Sequence, residues 1–264
     1  IVNIGFNESS ERESNDRPFE LPEYQDSLVQ CITAANPNTV VLLNAGGNVD
    51  MSKWIDKVPS LLHLWYAGQE GGTAVAEILF GKVNPSGKLP ISFEKKWEDN
   101  PAYPYYYDRD GDKRVEYKEG LFMGYRHYDV SETKPQFAFG YGMSYTTFKY
   151  SDLRIDREKG RDLAVKVRFT VKNTGKHDGA ETAQVYIRPI NPKVERPYKE
   201  LKGFAKHFIR KNAVQEIEIT LDKDAFSYYK TELKDFDYDA GSYEVLVGSA
   251  SDDIRLRKVI QIEK

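Results

Sequence analysis

One cysteine, Cys31, stands in a chain of 264 residues. No internal disulfide can form, so the fold must hold by burial and hydrogen bonding; an oxidising compartment is permitted but not indicated. No apolar run approaches the ~20 residues that a membrane-crossing helix needs. A basic excess is also missing. Lys and Arg number 38 against 41 Asp and Glu, a formal net charge of −3, which argues against a nucleic-acid partner. The four histidines, His63, His127, His177 and His207, are scattered without ligand spacing, so no metal site is read. The chain opens without Met or a leader. Ile1-Val2-Asn3-Ile4-Gly5 reads instead as a buried strand, which leads us to expect a missing upstream part.

What is present is a globular composition, 40% hydrophobic and 30% charged, long enough for one large domain or two ordinary ones. Aromatics are plentiful, with 18 Tyr and 3 Trp. Their faces suit sugar rings, but tyrosine is equally at home in β-structure.

The periodicity changes along the chain. Residues 1–95 alternate short apolar strands with helical stretches. Thr39-Val40-Val41-Leu42-Leu43-Asn44, closed by Ala45-Gly46-Gly47, has the continuous apolar character of a parallel strand covered on both faces. Glu23 to Ala35 carries Leu28, Ile32 and Ala35 at helical spacing and stops at Asn36-Pro37. Cys31 on this helix is read as a small buried hydrophobe. Leu61-Leu62-His63-Leu64-Trp65 predicts another buried strand, with His63 a satisfied core histidine and Trp65 a core residue rather than a sugar platform. A helix from Thr73 to Phe80 follows Gly68-Gln69-Glu70-Gly71-Gly72. That glycine stretch lacks the Lys-Ser/Thr of a phosphate loop, so it is read as a tight turn and close helix packing. The alternation makes residues 1–95 an α/β layer, a mainly parallel sheet with flanking helices.

Residues 96–147 are rich in Tyr, Pro, Gly and charge, as in Tyr103-Pro104-Tyr105-Tyr106-Tyr107, and predict an extended connector. The tyrosine cluster is expected to pack as part of the connector, with contact to a ligand pocket the alternative. From 148 to 264 the period is two: Leu163, Val165, Val167, Phe169 and Val171; Val185 and Ile187; Ile217, Ile219 and Leu221; Tyr243, Val245 and Val247. With turns at Asn173-Thr174-Gly175 and Asp239-Ala240-Gly241, this predicts an all-β sandwich.

Five segments in order, Asn38–Gly46, Trp65–Gly72, Gly81–Pro90, Glu119–Arg126 and Phe139–Tyr145, resemble the family 3 glycoside hydrolases of β-glucosidase type. Any one alone would be a weak signal; all five in sequence are specific. The resemblance implies that residues 1–95 are the later part of the family's α/β sandwich domain and that 148–264 are its fibronectin type III-like domain. It implies a missing N-terminal barrel, on the same polypeptide or a companion chain, and a β-glucoside or oligosaccharide substrate. It leans towards a secreted or periplasmic protein.

A retaining glycosidase sets two carboxyls about 5–5.5 Å apart across the scissile bond, one as nucleophile and one as acid/base. The acid must hold its proton near neutral pH. The family's nucleophile is a barrel Asp, expected outside this chain. Its acid/base is a Glu on a sandwich-domain loop that follows a buried strand and precedes Asp-Arg. Here that loop reads Glu11-Arg12-Glu13-Ser14-Asn15-Asp16-Arg17-Pro18. Counting back from Asp16-Arg17 selects Glu13, with Glu11 the runner-up and Glu8 third. Ser14 departs from the family's Gly at that position and leaves the register open. Asp16 and Arg17 are read as fixing the loop, the alternative being a surface ion pair of little energetic weight. The mechanism asks for no cofactor.

Competing readings are a β-xylosidase or another exo-glycosidase of the family, a non-catalytic carbohydrate-binding or domain-packing module, and an adhesion protein. The family branch that cleaves N-acetylglucosaminides takes its acid/base from the barrel, and the segments present here speak against it.

Overall fold

The structure is a computed structural model that describes residues 1–157 and 163–264. Its elements are β1 (Val2–Gly5), α1 (Gln25–Ala35), β2 (Val40–Asn44), β3 (Ser60–His63), α2 (Gly71–Leu79), α3 (Tyr125–Tyr128), β4 (Phe148–Arg157), β5 (Ala164–Asn173), β6 (Gly179–Pro189), β7 (Glu200–Ile209), β8 (Val214–Asp222), β9 (Tyr228–Lys230), β10 (Asp235–Asp237), β11 (Gly241–Ala250) and β12 (Asp253–Ile262). They form two compact units. The first takes Ile1–Lys82, Phe93–Lys118 and Thr133–Phe137; the second takes Val83–Ser92, Glu119–Glu132 and Ala138–Lys264. The stretch 96–147 is thus divided between them.

The first unit is α/β. Strands β1, β2 and β3 pair in parallel in that order. Val41 and Leu43 of β2 are fully buried, whereas Val40 and Leu42 are half-buried. One face of the strand is therefore dry and the other partly open, short of the two covered faces that the apolar run predicts.

Helix α1 is rotated from its expected phase. Val29 and Thr33 are its buried residues, and Leu28 and Ala35 are exposed. The cause lies at its first turn. The Gln25 side chain accepts from Gly5 N at 2.7 Å and donates to Gly5 O at 2.9 Å, which fixes the face that meets β1. Residues four apart share a helical face, so Gln25, Val29 and Thr33 follow together. Cys31 is consequently exposed, not buried. Helix α2 starts two residues earlier than expected and has no buried residue.

The second unit is an antiparallel β-sandwich. One sheet has the order β12-β11-β6-β7 and the other β4-β5-β8, with β9 and β10 as a separate hairpin. The alternating residues read from the sequence meet in one core: Val165, Val167, Phe169 and Val171 of β5 with Ile217 and Leu221 of β8, against Val185 and Ile187 of β6 and Val245 and Val247 of β11. This is what a period of two requires of strands with one buried face.

Candidate active site

The loop from Asn7 to Pro18 leaves the end of β1. It begins with a hydrogen-bonded turn: Ser10 N and Glu11 N both donate to Asn7 O, and Ser9 N donates to Asn7 Oδ1 at 3.0 Å. Glu8, on this turn, is exposed. An isolated bridge between Arg12 and Asn15 then closes a tight reversal around Glu13 and Ser14.

Glu11 and Glu13 sit in contrasting surroundings. Glu11 Oε2 accepts from the Tyr66 hydroxyl at 2.5 Å and from Gly46 N at 3.2 Å, and lies 3.6 Å from Arg17 Nε. Glu13 is exposed, and among the described residues its carboxylate makes no hydrogen bond or ion pair. Only its backbone carbonyl is engaged, by Asn15 Nδ2 at 3.5 Å.

Ser14 adopts φ +66°. That left-handed conformation is costly for any residue with a Cβ and free for glycine. Ser14 stands where the resemblance expects Gly, and its backbone is one that glycine adopts freely. Serine tolerates the position at a cost.

Asp16 and Arg17 do not pair with one another. Arg17 donates to Asn48 O at 2.6 Å and to Pro18 O at 3.2 Å, and its guanidinium lies 4.7 Å from the Phe6 ring centroid. Asp16 Oδ1 accepts from the Tyr106 hydroxyl at 3.1 Å. The plain surface ion pair weighed from the sequence is therefore not formed. Each residue ties the loop to a different segment.

The aromatic cluster reaches this loop through Tyr106. Trp97 receives Tyr103 and Tyr106 edge-on at 5.6 and 5.5 Å, and Tyr106 meets Tyr107 at 4.9 Å. The packing orients the Tyr106 hydroxyl at the loop. His63 Nε2 lies 3.2 Å from Gly47 O and donates to it, while burial lowers its pKa. Trp65 is half-buried, lies edge-on to Phe93 and has φ +54°. Sequence reasoning missed Tyr66, Tyr106 and Gly46 as neighbours of the loop. The tyrosines lie 55 and 90 residues from their carboxylate partners, and no local pattern marks such pairs.

Away from this loop, the exposed carboxylates of Asp108, Asp110 and Asp112 come within 4.8 Å of one another. Asp108 is occupied by the loop's own amides, Gly111 N at 2.7 Å and Lys113 N at 2.9 Å.

The sequence profile of the glycosyl hydrolase family 3 C-terminal domain matches residues 1–145, more than half of the chain. The chain belongs to glycosyl hydrolase family 3. A fibronectin type III-like profile matches residues 181–251, inside the antiparallel unit. The chain is 42% identical to thermostable beta-glucosidase B of Acetivibrio thermocellus, a match over 99% of this chain and 35% of that protein. It is 42% identical to a beta-glucosidase of Kluyveromyces marxianus, over 100% of this chain and 31% of the relative. Among solved structures, the family 3 beta-glucosidase of Bifidobacterium adolescentis superposes with a TM-score of 0.92 at 37% identity, covering 98% of this chain and 38% of that one. The K. marxianus enzyme, solved with glucose, gives 0.92 at 41% identity, covering 99% and 31%. The family 3 chain therefore spans about a third of the length of these relatives.

Proposed function

We propose that the complete polypeptide is a retaining, exo-acting β-glucosidase that releases terminal non-reducing β-D-glucosyl residues, and that Glu13 is its acid/base. The contrast between the two loop glutamates carries this reading. Glu11 is committed to Tyr66, Gly46 and Arg17, whereas Glu13 is exposed, with a carboxylate at liberty to meet a glycosidic oxygen. The left-handed Ser14 supports the same register, and the relatives' names support glucose as the sugar.

In the first step a nucleophilic Asp, supplied by the family's barrel, attacks the anomeric carbon as Glu13 passes its proton to the leaving oxygen. In the second, Glu13, now a carboxylate, takes a proton from water as the water attacks the glycosyl-enzyme. Two inversions give net retention. Neither step calls for a redox group or a bound cofactor.

The test uses the full-length protein on two aryl β-glucosides, one with a good and one with a poor leaving group. Protonation matters most when the leaving group is poor. Glu13→Ala is expected to lose about 10²–10⁴-fold in kcat/KM on the poor leaving group and far less on the good one. Equal, small losses would remove Glu13 and bring Glu11 forward.

A further inference from the structure

Glu13 is flanked on the loop by two carboxylates, and a phenol holds each of them. Two residues before it, Glu11 accepts from Tyr66 at 2.5 Å. Three residues after it, Asp16 accepts from Tyr106 at 3.1 Å. The donors come from separate stretches of the first unit: Tyr66 just beyond β3, Tyr106 in the aromatic stretch after Trp97.

Both phenols are built to stay donors. Burial, with the Glu11 hydrogen bond and charge, pushes the Tyr66 hydroxyl up to about 12. The hydrogen bond to Asp16, then burial, raises that of Tyr106. Neither loses its proton anywhere near neutral pH.

Hydrogen bonds this exposed add little to global stability. Their effect is geometric. Together with Arg17, which ties the loop to Asn48 O, they immobilise the chain on both sides of Glu13, whose own carboxylate makes no hydrogen bond or ion pair among the described residues. Two backbone features serve the same end. Trp65, next to Tyr66, holds a left-handed φ that non-glycine residues seldom adopt. Gly46 brings bare backbone to within hydrogen-bond reach of Glu11.

We infer that Tyr66 and Tyr106 are positioning residues, two phenol latches that fix the Glu13 loop from either side and so set the direction in which its carboxyl meets the glycosidic oxygen. The inference rests on the assignment of Glu13 as acid/base. Small misplacement of a catalytic group is expensive: a shift of ~1 Å can cost about 10²-fold. A latch removed on one side only leaves the other in place, so each single loss is smaller.

Tyr66→Phe, Tyr106→Phe and the double variant of the full-length protein are assayed beside Glu13→Ala on the two aryl β-glucosides. kcat/KM reports the step in which the acid acts. Each single Phe variant is expected to lose roughly five- to tenfold on the poor leaving group and less than about twofold on the good one, with the thermal midpoint unchanged. The double variant should lose more than either. Equal losses on both substrates would make the tyrosines merely structural and overturn the inference. So would wild-type leaving-group dependence in both Phe variants while Glu13→Ala shows the selective loss; the acid/base assignment then survives. A Glu13→Ala variant without selective loss overturns the assignment and the latches together.

Discussion

Gly46 lies so close to Glu11 that a Cβ built on it would sit 2.2 Å from Glu11 Oε1. No carbon is tolerated at that distance, so the residue after the Ala45 that follows β2 has to be glycine if Glu11 is to accept from its amide. Gly46→Ala is expected to push the Glu11 carboxylate away and loosen its hold on Tyr66. The core is untouched, so the thermal midpoint should fall only slightly. Activity on a poor-leaving-group aryl β-glucoside should fall by about tenfold. Full activity in Gly46→Ala would show that the Glu11 anchor is dispensable.

Ser14 gives a second prediction. Its φ of +66° costs a residue with a Cβ about 1 kcal/mol relative to glycine, which Ser14→Gly recovers in part before the added freedom of the unfolded chain offsets it. Ser14→Gly is therefore expected to match the wild type in thermal midpoint and activity. Ser14→Val puts a β-branched side chain where the left-handed region is least tolerated and should lose activity. Kinetics of the pair check this; equal activity of Val and Gly variants would mean that the loop does not need this backbone.

These cases mark what the sequence made legible. The sandwich strands could be read because alternation is local: Val165, Val167, Phe169 and Val171 point inward by the geometry of a strand alone. The loop bearing Glu13 could be read as a loop because the apolar strand before it, Val2–Gly5, ends at a glycine. The phase of α1 could not, because it depends on Gln25 reaching Gly5 twenty residues away. Apolar spacing favoured Leu28 and Ala35, yet a pair of side-chain-to-backbone hydrogen bonds turned the helix past them. The latches were hidden for the same reason, since a tyrosine in an aromatic run carries no local sign of the carboxylate it will meet.

Acid is expected to weaken the second unit through Asp237. Asp237 accepts from Lys264 and from Lys230 Nζ, the latter at 3.2 Å, and these partners hold its carboxyl down to about 2. A carboxylate depressed in the folded state stabilises the fold above its ordinary value, and that contribution is lost as pH falls towards 2. Asp237→Asn removes the titration. Unfolding midpoints taken between pH 5 and pH 2, at roughly half-unit steps, should fall less steeply in the variant. The same slope in both proteins would mean that Asp237 is not among the groups whose protonation weakens the second unit.

Glu200 poses the opposite problem, one carboxylate among three cations. Its side chain is 13% exposed, and its oxygens lie 2.7 Å from Arg196 Nη2, 3.2 Å from Arg126 Nη2 and 3.7 Å from Lys202 Nζ. Burial alone would raise its pKa, but Arg196, Lys202 and Arg126 together outweigh that and hold it below the usual range. Lys202 moves down, because burial and the two neighbouring guanidinium groups disfavour a third positive charge more than Glu200 favours it. Removing the carboxylate leaves those cations facing each other in a half-buried site. Breaking a buried charge network on one side costs about 3–5 kcal/mol, and the partial exposure of Arg126 and Lys202 screens that cost, so Glu200→Gln is expected to lower the stability of the second unit by less than that, measured by urea denaturation of the full-length protein. Combining it with Lys202→Met removes one of the cations and should recover part of the loss. A double variant no more stable than Glu200→Gln would place the damage in lost hydrogen bonds rather than in repulsion among the cations.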